Sequence, residues 1–287
     1  MKELQIGFIG QGFIGKHLAD DFADRGFQIV RYALEPEFEA NKDAIALCDI
    51  VFIAVPTPTT PTGFDSRILE AVLPLVGTGK TAVIKSTMLP GTTLRLQNQF
   101  PDIVVLHSPE FLREKSAHED TKEPLRNIVG MPVADERHQT AAKQVMEVLP
   151  KSPYTLITGA AEAELIKYSG TNFLALKVIF MNMVYDAAAA VGADYAVIAE
   201  AMKADPRIGS SHMNVVDQSG HPGSVPGRGA GGHCFPKDWA AFTDWYQEMC
   251  GQDAAGQAVL DAVEAKNIAL LRDSQKDLDL LRGIYGV

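Results

Sequence analysis

A hexapeptide near the N-terminus, Gly10-Gln11-Gly12-Phe13-Ile14-Gly15, sets the strongest constraint on how this chain can fold. It follows a short apolar strand pattern, Gln5-Ile6-Gly7-Phe8-Ile9, and leads into Lys16 to Ala23, where apolar residues recur at helical spacing. Alone, such a glycine pattern is a weak signal. Between a strand and a helix at the start of a βαβ unit it becomes a specific one. The glycines allow a tight turn and the close approach of a pyrophosphate, which then rests at the helix N-terminus. The expectation is a dinucleotide cradle formed by Gly10, Gly12, Phe13, Ile14 and Gly15. The competing reading is a glycine-rich turn that holds nothing.

Further short apolar runs follow at residues 28–32, 50–55, 81–85, 103–106 and 127–130, separated by polar or helical segments such as 66–76 and 92–99. Strands alternating with helices predict an α/β domain built on a doubly wound parallel sheet, a Rossmann-like fold. Functional residues in such sheets collect just beyond the carboxyl ends of the strands. Pro56-Thr57-Pro58, Ser86 to Thr93 and His107 to Glu114 occupy those places. Thr57, Thr87 and Thr92 are each equally competent as ordinary turn or cap residues. An acid at the end of the second strand usually holds the ribose hydroxyls. Ala33 stands there, with Glu35 the nearest acid, and Arg31 leaves NADP open beside NAD. Glu110 and Glu114 would share a face if their segment were helical, and paired carboxylates can divide proton work. Solvated acids partnered by Arg113 and Lys115 are the plainer reading.

From Ala160 the character changes. Residues 160–191 read as one long helix with Leu165, Tyr168, Phe173, Leu176, Ile179, Phe180, Met183 and Val184 apolar, which predicts a buried connector and a subunit contact. Lys167 interrupts it, as a functional group or as a snorkelling surface lysine. A helix over 193–204, a loop over 207–229, and helices from about 237 to 250 and 254 to 271 complete the chain. A domain boundary is expected near residues 158 and 159, giving a cofactor-binding domain over 1–158 and a helical one over 159–287. The loop ends in Gly229-Ala230-Gly231-Gly232-His233-Cys234-Phe235-Pro236-Lys237-Asp238, which sets a thiol, an ammonium and a carboxylate close together. A neighbouring cation makes a thiolate available near neutral pH. A small buried cysteine in a turn is the alternative.

Composition excludes several classes. A net charge of −10, from 26 basic and 36 acidic residues, argues against nucleic acid as a partner. Cys48, Cys234 and Cys250 are too few and too scattered for a disulfide framework or a zinc cluster, so no metal is expected and a reducing cytoplasm fits. No uninterrupted apolar run reaches the roughly 18 residues of a membrane helix, and Met1-Lys2-Glu3-Leu4 enters a strand pattern, so no signal peptide is expected.

Taken together, the glycine hexapeptide, Val55-Pro56-Thr57-Pro58, Ser86 to Thr93, Ser108 to Glu114, Ala163 to Tyr168, Asp205 to Gly209 and Gly229 to Asp238 resemble the UDP-glucose/GDP-mannose dehydrogenase family, in family order and over nearly the whole chain. The resemblance implies an NAD-dependent oxidation of a sugar-nucleotide primary alcohol to the carboxylate. Cys234 would trap the aldehyde as a thiohemiacetal, which a second oxidation converts to a hydrolysable thioester. Lys167 would steady the oxyanion, and Glu110 and Asp238 would handle water and protons. Thr87 and Glu114 would line the site beside the nicotinamide, and Thr57 and Lys237 would contact the cofactor. Phe111, Leu112, Asn172, Gly231 and Gly232 would meet the substrate, and the long helix would make a homodimer.

The chain departs from the family pattern in three ways. Thr171 stands where the family has an asparagine, and Asn172 lies about 100° further round the helix. The ribose acid falls at Ala33. The family also continues with a domain that covers the substrate's nucleotide, so the resemblance implies a short form. Two other readings stay open: a two-electron hydroxyacid or sugar-acid dehydrogenase with Lys167 catalytic, and a non-catalytic NAD-binding remnant.

Overall fold

The computed structural model describes residues 4–113, 116–221 and 223–286. Glu114, one of the expected cofactor-lining residues, lies outside them. In chain order the elements are β1 (Gln5–Ile9), α1 (Phe13–Asp24), β2 (Gln28–Tyr32), α2 (Pro36–Glu39), β3 (Ile50–Ile53), β4 (Thr59–Thr60), β5 (Gly63–Phe64), α3 (Arg67–Val72), β6 (Thr81–Ile84), α4 (Thr92–Gln99), β7 (Val104–His107), α5 (Ala117–Lys122), β8 (Arg126–Met131), α6 (Glu136–Val148) and β9 (Tyr154–Gly159). They continue with α7 (Ala160–Ala190), α8 (Tyr195–Lys203), β10 (Val216–Asp217), β11 (Gly227–Arg228), α9 (Phe235–Cys250), α10 (Ala254–Asp273) and α11 (Leu278–Tyr285).

By compactness the chain divides into two units, one formed by 1–58 and 65–167 and the other by 59–64 and 168–287. The first unit is a seven-stranded sheet in the order β2-β1-β3-β6-β7-β8-β9. From β2 to β7 every neighbouring pair is parallel. One join differs from the expected parallel sheet, because β8 meets β7 antiparallel and then pairs with β9 in parallel. β9 was not anticipated: Tyr154-Thr155-Leu156-Ile157 alternates too weakly in polarity to be read as a strand without its partner β8. β3, β6 and β7 are buried at every position, as strands covered on both faces must be. Their side chains join Leu18, Ala19 and Phe22 of α1 and Ala142 and Val145 of α6 in one core. Phe8, Phe22 and Phe52 pack ring to ring there, with centroids 5.2 to 5.5 Å apart.

The second unit is helical. Ala175, Val178 and Ile179 of α7 pack with Ala230, Trp239, Phe235, Leu260 and Val263. By length and composition alone α7 could cross a membrane; one side of it packs against the residues just named. A second face of the same helix is exposed at Phe173, Leu176, Phe180 and Met183. The hairpin β4–β5 belongs to this unit and packs against α9, while α11, absent from the sequence-based expectation, packs on α9 and β4.

Candidate active site

The glycine hexapeptide forms the tight turn between β1 and α1 that its pattern predicts. Gly10 has φ of +88°, and a Cβ there would overlap the Ala54 carbonyl; a Cβ on Gly15 would overlap the carbonyl of Gly10. Neither position accepts another residue without moving the β1–α1 turn. Nothing lies within 4 Å of the place a Gly12 Cβ would take. Gly12 is also the N-cap of α1 and offers no side-chain cap, so the first-turn amides stay available to an anion. Phe13 is exposed and Ile14 half-buried beside them. The turn therefore fits a pyrophosphate. Glu35 is an exposed N-cap residue just past β2, and Ala33 is buried. Arg31 places its guanidinium 2.7 Å from Asp20, which occupies the cation that left a 2′-phosphate in play.

The loops after β3 and β6 are tied to each other. Ser86 Oγ donates to the Val55 carbonyl at 2.7 Å and accepts the Val55 amide at 3.1 Å. Thr57 Oγ1 donates to the Thr87 carbonyl at 2.8 Å, so in this state its hydroxyl braces the loop. Glu164 anchors the next stretch from α7. One carboxylate oxygen accepts Gly91 N–H at 2.7 Å; the other accepts Thr93 N–H at 2.8 Å and Thr93 Oγ1 at 2.6 Å. It thereby caps α4 in place of a local side chain. Burial raises its pKa, against the pull of the bonds from Thr93 and Gly91.

Beyond β6 and β7 lies a polar cluster. Lys85 Nζ donates to Ser108 Oγ at 3.2 Å and stands 3.1 Å from Glu110 Oε2. Glu110 Oε1 accepts the Phe111 amide at 3.1 Å. Residues 108–113 are irregular rather than helical, so Glu110 sits on a loop and the helical face it would share with Glu114 is not formed there. Arg113 forks onto Asp120 instead. Leu112 is half-buried beside it. The Phe111 ring has the Arg126 guanidinium 3.8 Å and Lys167 Nζ 5.7 Å from its centroid, within cation–π range.

His107, fully buried at the end of β7, donates from Nδ1 to the Ile84 carbonyl at 3.1 Å if that nitrogen carries the proton. Burial lowers its pKa to about 3, opposed by that bond and assisted by Lys85 and Lys167. The unfolded chain binds this proton below about 6.5 and the folded one only near 3, so acid favours unfolding. Between those values each unit of pH lost should cost up to a tenfold drop in the folding constant. His107→Gln should flatten that slope in urea titrations at stepped pH. An equal slope in both proteins would rule the effect out.

In the second unit Cys234 is exposed and is the N-cap of α9, its carbonyl accepting Asp238 N–H at 2.8 Å. Cys48, by contrast, is buried and its pKa is pushed up to about 11, chiefly by desolvation and then by Asp49. Pro236 occupies the first turn of α9, which therefore starts slightly ahead of the Lys237 expected from sequence. Lys237 Nζ pairs with Asp238 Oδ1 at 2.6 Å, and among the described residues Asp238 Oδ2 is buried with no hydrogen-bond partner.

The glycine loop ahead of the thiol is gripped by residues far along the chain. Asn267 brackets Ala230, accepting its N–H at 2.8 Å and donating to its carbonyl at 3.0 Å. Lys276 Nζ donates to the Gly229 carbonyl at 3.1 Å. Asp277 accepts Gly232 N–H at 2.7 Å and the Ser219 hydroxyl. A Cβ on Gly231 would overlap that carboxylate, and Gly229 and Gly232 both have positive φ. Asn172 is buried, and among the described residues neither its Oδ1 nor its Nδ2 has a partner. Such an orphaned amide is costly unless something else satisfies it.

The structure thus groups Glu110, Phe111 and Lys167 in the first unit, and Gly231, Gly232, Cys234, Lys237 and Asp238 in the second. Sequence reading passed over Lys85, Glu164, Asn267, Lys276 and Asp277. A lysine closing the apolar run Thr81 to Ile84 was a usable signal; Asp277 carried none, since its partner Gly232 lies in a distant loop.

Comparison with known proteins gives a consistent set. Residues 29–149 match the NAD binding domain of the UDP-glucose/GDP-mannose dehydrogenase family, and residues 161–268 its central domain. The UDP-glucose 6-dehydrogenase of Rhizobium meliloti (strain 1021) is 35% identical over 290 aligned positions, covering 85% of this chain and 64% of that protein. UDP-glucose 6-dehydrogenase TuaD of Bacillus subtilis (strain 168) is 34% identical over 213 positions, covering 69% of this chain. This chain spans only 42% of TuaD's length. The solved structure of a UDP-glucose dehydrogenase from the archaeon Pyrobaculum islandicum superposes with a TM-score of 0.78 at 30% identity, over 94% of this chain and 69% of that one.

Proposed function

The chain belongs to the UDP-glucose/GDP-mannose dehydrogenase family, and we propose that it oxidises the primary alcohol of a sugar nucleotide to the carboxylate with NAD, through a covalent intermediate on Cys234. The observation that carries this reading is Cys234 exposed at the N-terminus of α9, in a glycine loop fixed by Asp277 and followed by an Asp238 oxygen with no partner among the described residues. Gly10, Gly12, Phe13, Ile14 and Gly15 would cradle the pyrophosphate, with Glu35 near the ribose and Thr57, Thr87, Glu114 and Lys237 as the further cofactor contacts. NAD, when bound, supplies the hydride acceptor for both oxidation steps.

In this reading Lys167 stabilises the developing oxyanion. The Cys234 thiolate adds to the aldehyde carbon to give a thiohemiacetal, and oxidation of that adduct gives a thioester. Glu110 orients the water that cleaves it, and Asp238 takes the released proton through Oδ2. Phe111, Leu112, Gly231 and Gly232 line the sugar. The buried amide of Asn172 finds its missing partners in the substrate, standing in for the asparagine that position 171 lacks.

The balance fixes the test: a primary alcohol carried to a carboxylate yields two NADH. Absorbance at 340 nm, with UDP-glucose and related nucleotide sugars each held limiting, should give that yield. A single equivalent would instead indicate a two-electron dehydrogenase, and tight NADH binding with no turnover on any of them would indicate a non-catalytic remnant. We further propose a cytoplasmic homodimer through the exposed α7 stripe of Phe173, Leu176, Phe180 and Met183, whose spacing suits a helix seam. Light scattering at micromolar concentration should return twice the chain mass; the monomer mass would reject it.

A further inference from the structure

The reading above gives Glu110 its task but leaves open what holds it, since its loop carries no regular backbone pairing. Lys85 directly follows β6 and Ser108 directly follows β7, at the ends of adjacent parallel strands paired through Ile84 and His107. The Lys85 amide donates to the Ile53 carbonyl at 2.8 Å and the Ser108 amide to the Ile84 carbonyl at 2.9 Å, so both residues are fixed by the sheet. The Lys85 side chain is only 4% exposed, and its Nζ reaches Ser108 Oγ and Glu110 Oε2.

Burying an ammonium costs several kcal/mol in lost hydration, and ion pairs of this kind commonly add nothing to stability over an apolar side chain of the same size. The neighbours sharpen the point. Lys85 and Lys167 both disfavour a proton on His107, which burial already keeps neutral, so the only charge the structure sets against Lys85 Nζ here is that of Glu110 among the described contacts. A buried cation answered by a single carboxylate on an irregular loop is an expensive arrangement unless its position is used.

We propose that Lys85 is a positioning residue for Glu110: with Ser108 as its brace, its ammonium fixes Oε2 while the Phe111 amide fixes Oε1, and the carboxylate is held at one angle toward the reacting water. This rests on the role assigned to Glu110 above. Lys85 itself touches no substrate and exchanges no proton.

The experiment is a double-mutant cycle on the full chain, with Lys85→Met, Glu110→Gln and the double variant. It is read as kcat and KM from NADH production, alongside the Kd of NADH by fluorescence and the far-ultraviolet melting curve. Lys85→Met should lower kcat by roughly 10²-fold, the scale of one lost catalytic contact, with the NADH Kd unchanged. In the Glu110→Gln background the same change should cost nothing more, because the group it positions is already gone. Multiplicative losses in the double variant, or a loss confined to KM, would overturn the assignment while wild-type turnover leaves the functional reading intact. No NADH from the wild type on any nucleotide sugar would sink that reading instead. Should Lys85→Met fail to fold, Lys85→Gln, which keeps a donor for Ser108 without the charge, takes its place in the same cycle.

Discussion

Cys234→Ser should abolish carboxylate formation, lowering the rate of the four-electron reaction by about 10³-fold or more. The second oxidation needs a carbon already bonded to a good nucleophile that is also a good leaving group, and a serine hydroxyl is neither near neutral pH. The change is mild for the fold. Position 234 is the N-cap of α9, where serine is among the preferred residues, and the thiol is exposed. Any lost turnover can therefore be assigned to chemistry. Limiting substrate should give at most one NADH, with aldehyde detectable by mass spectrometry after trapping with an amine. A variant that still returned two NADH would remove Cys234 from the mechanism altogether.

The second large effect concerns stability. Glu164→Ala should destabilise the first unit by about 3 kcal/mol, the scale for leaving buried amide and hydroxyl donors without their acceptor. The carboxylate is fully buried and satisfies two amides and a hydroxyl at the start of α4. Alanine leaves all three without their protein acceptor in a site closed to bulk solvent. For a unit of this size the melting temperature should fall by roughly 10 °C. Glu164→Gln should fall between the two, because its amide oxygen still accepts while its NH₂ faces donors. Circular dichroism melting decides it: an unchanged transition in the alanine variant would show that the contacts contribute nothing net. A loss of turnover at permissive temperature would accompany the shift, since the same bonds hold the loop that carries Thr87.

How much of this could be read in advance follows from where each constraint lies. The β1–α1 cradle was legible because its requirements are local: three glycines, a strand before them and a helix after. The closeness of Cys234, Lys237 and Asp238 was legible for the same reason, since they are neighbours at the start of α9. The antiparallel entry of β8 was not, since strand direction depends on how the long connection from β7 is laid, and the residues of β8 read the same either way. Glu110 was singled out as a residue type, with a face shared with Glu114 conditional on a helix; Lys85 and the Phe111 amide hold it on an irregular loop instead. Asn267, Lys276 and Asp277 escaped because their partners lie 37 to 47 positions away. Their spacing carries no periodicity a linear reading could find.

That long-range grip has an evolutionary consequence. Gly231 cannot gain a side chain unless Asp277 retreats, and Asp277 cannot be lost without releasing Gly232 and Ser219 together. Substitutions in the thiol loop and in the turn between α10 and α11 are therefore epistatic, since a side chain at Gly231 needs a compensating change at Asp277. A lineage that rebuilt the stretch around Asp277 would have to revise the Cys234 loop in the same step. The segment least conspicuous in the sequence thus limits how far the most conspicuous one can drift.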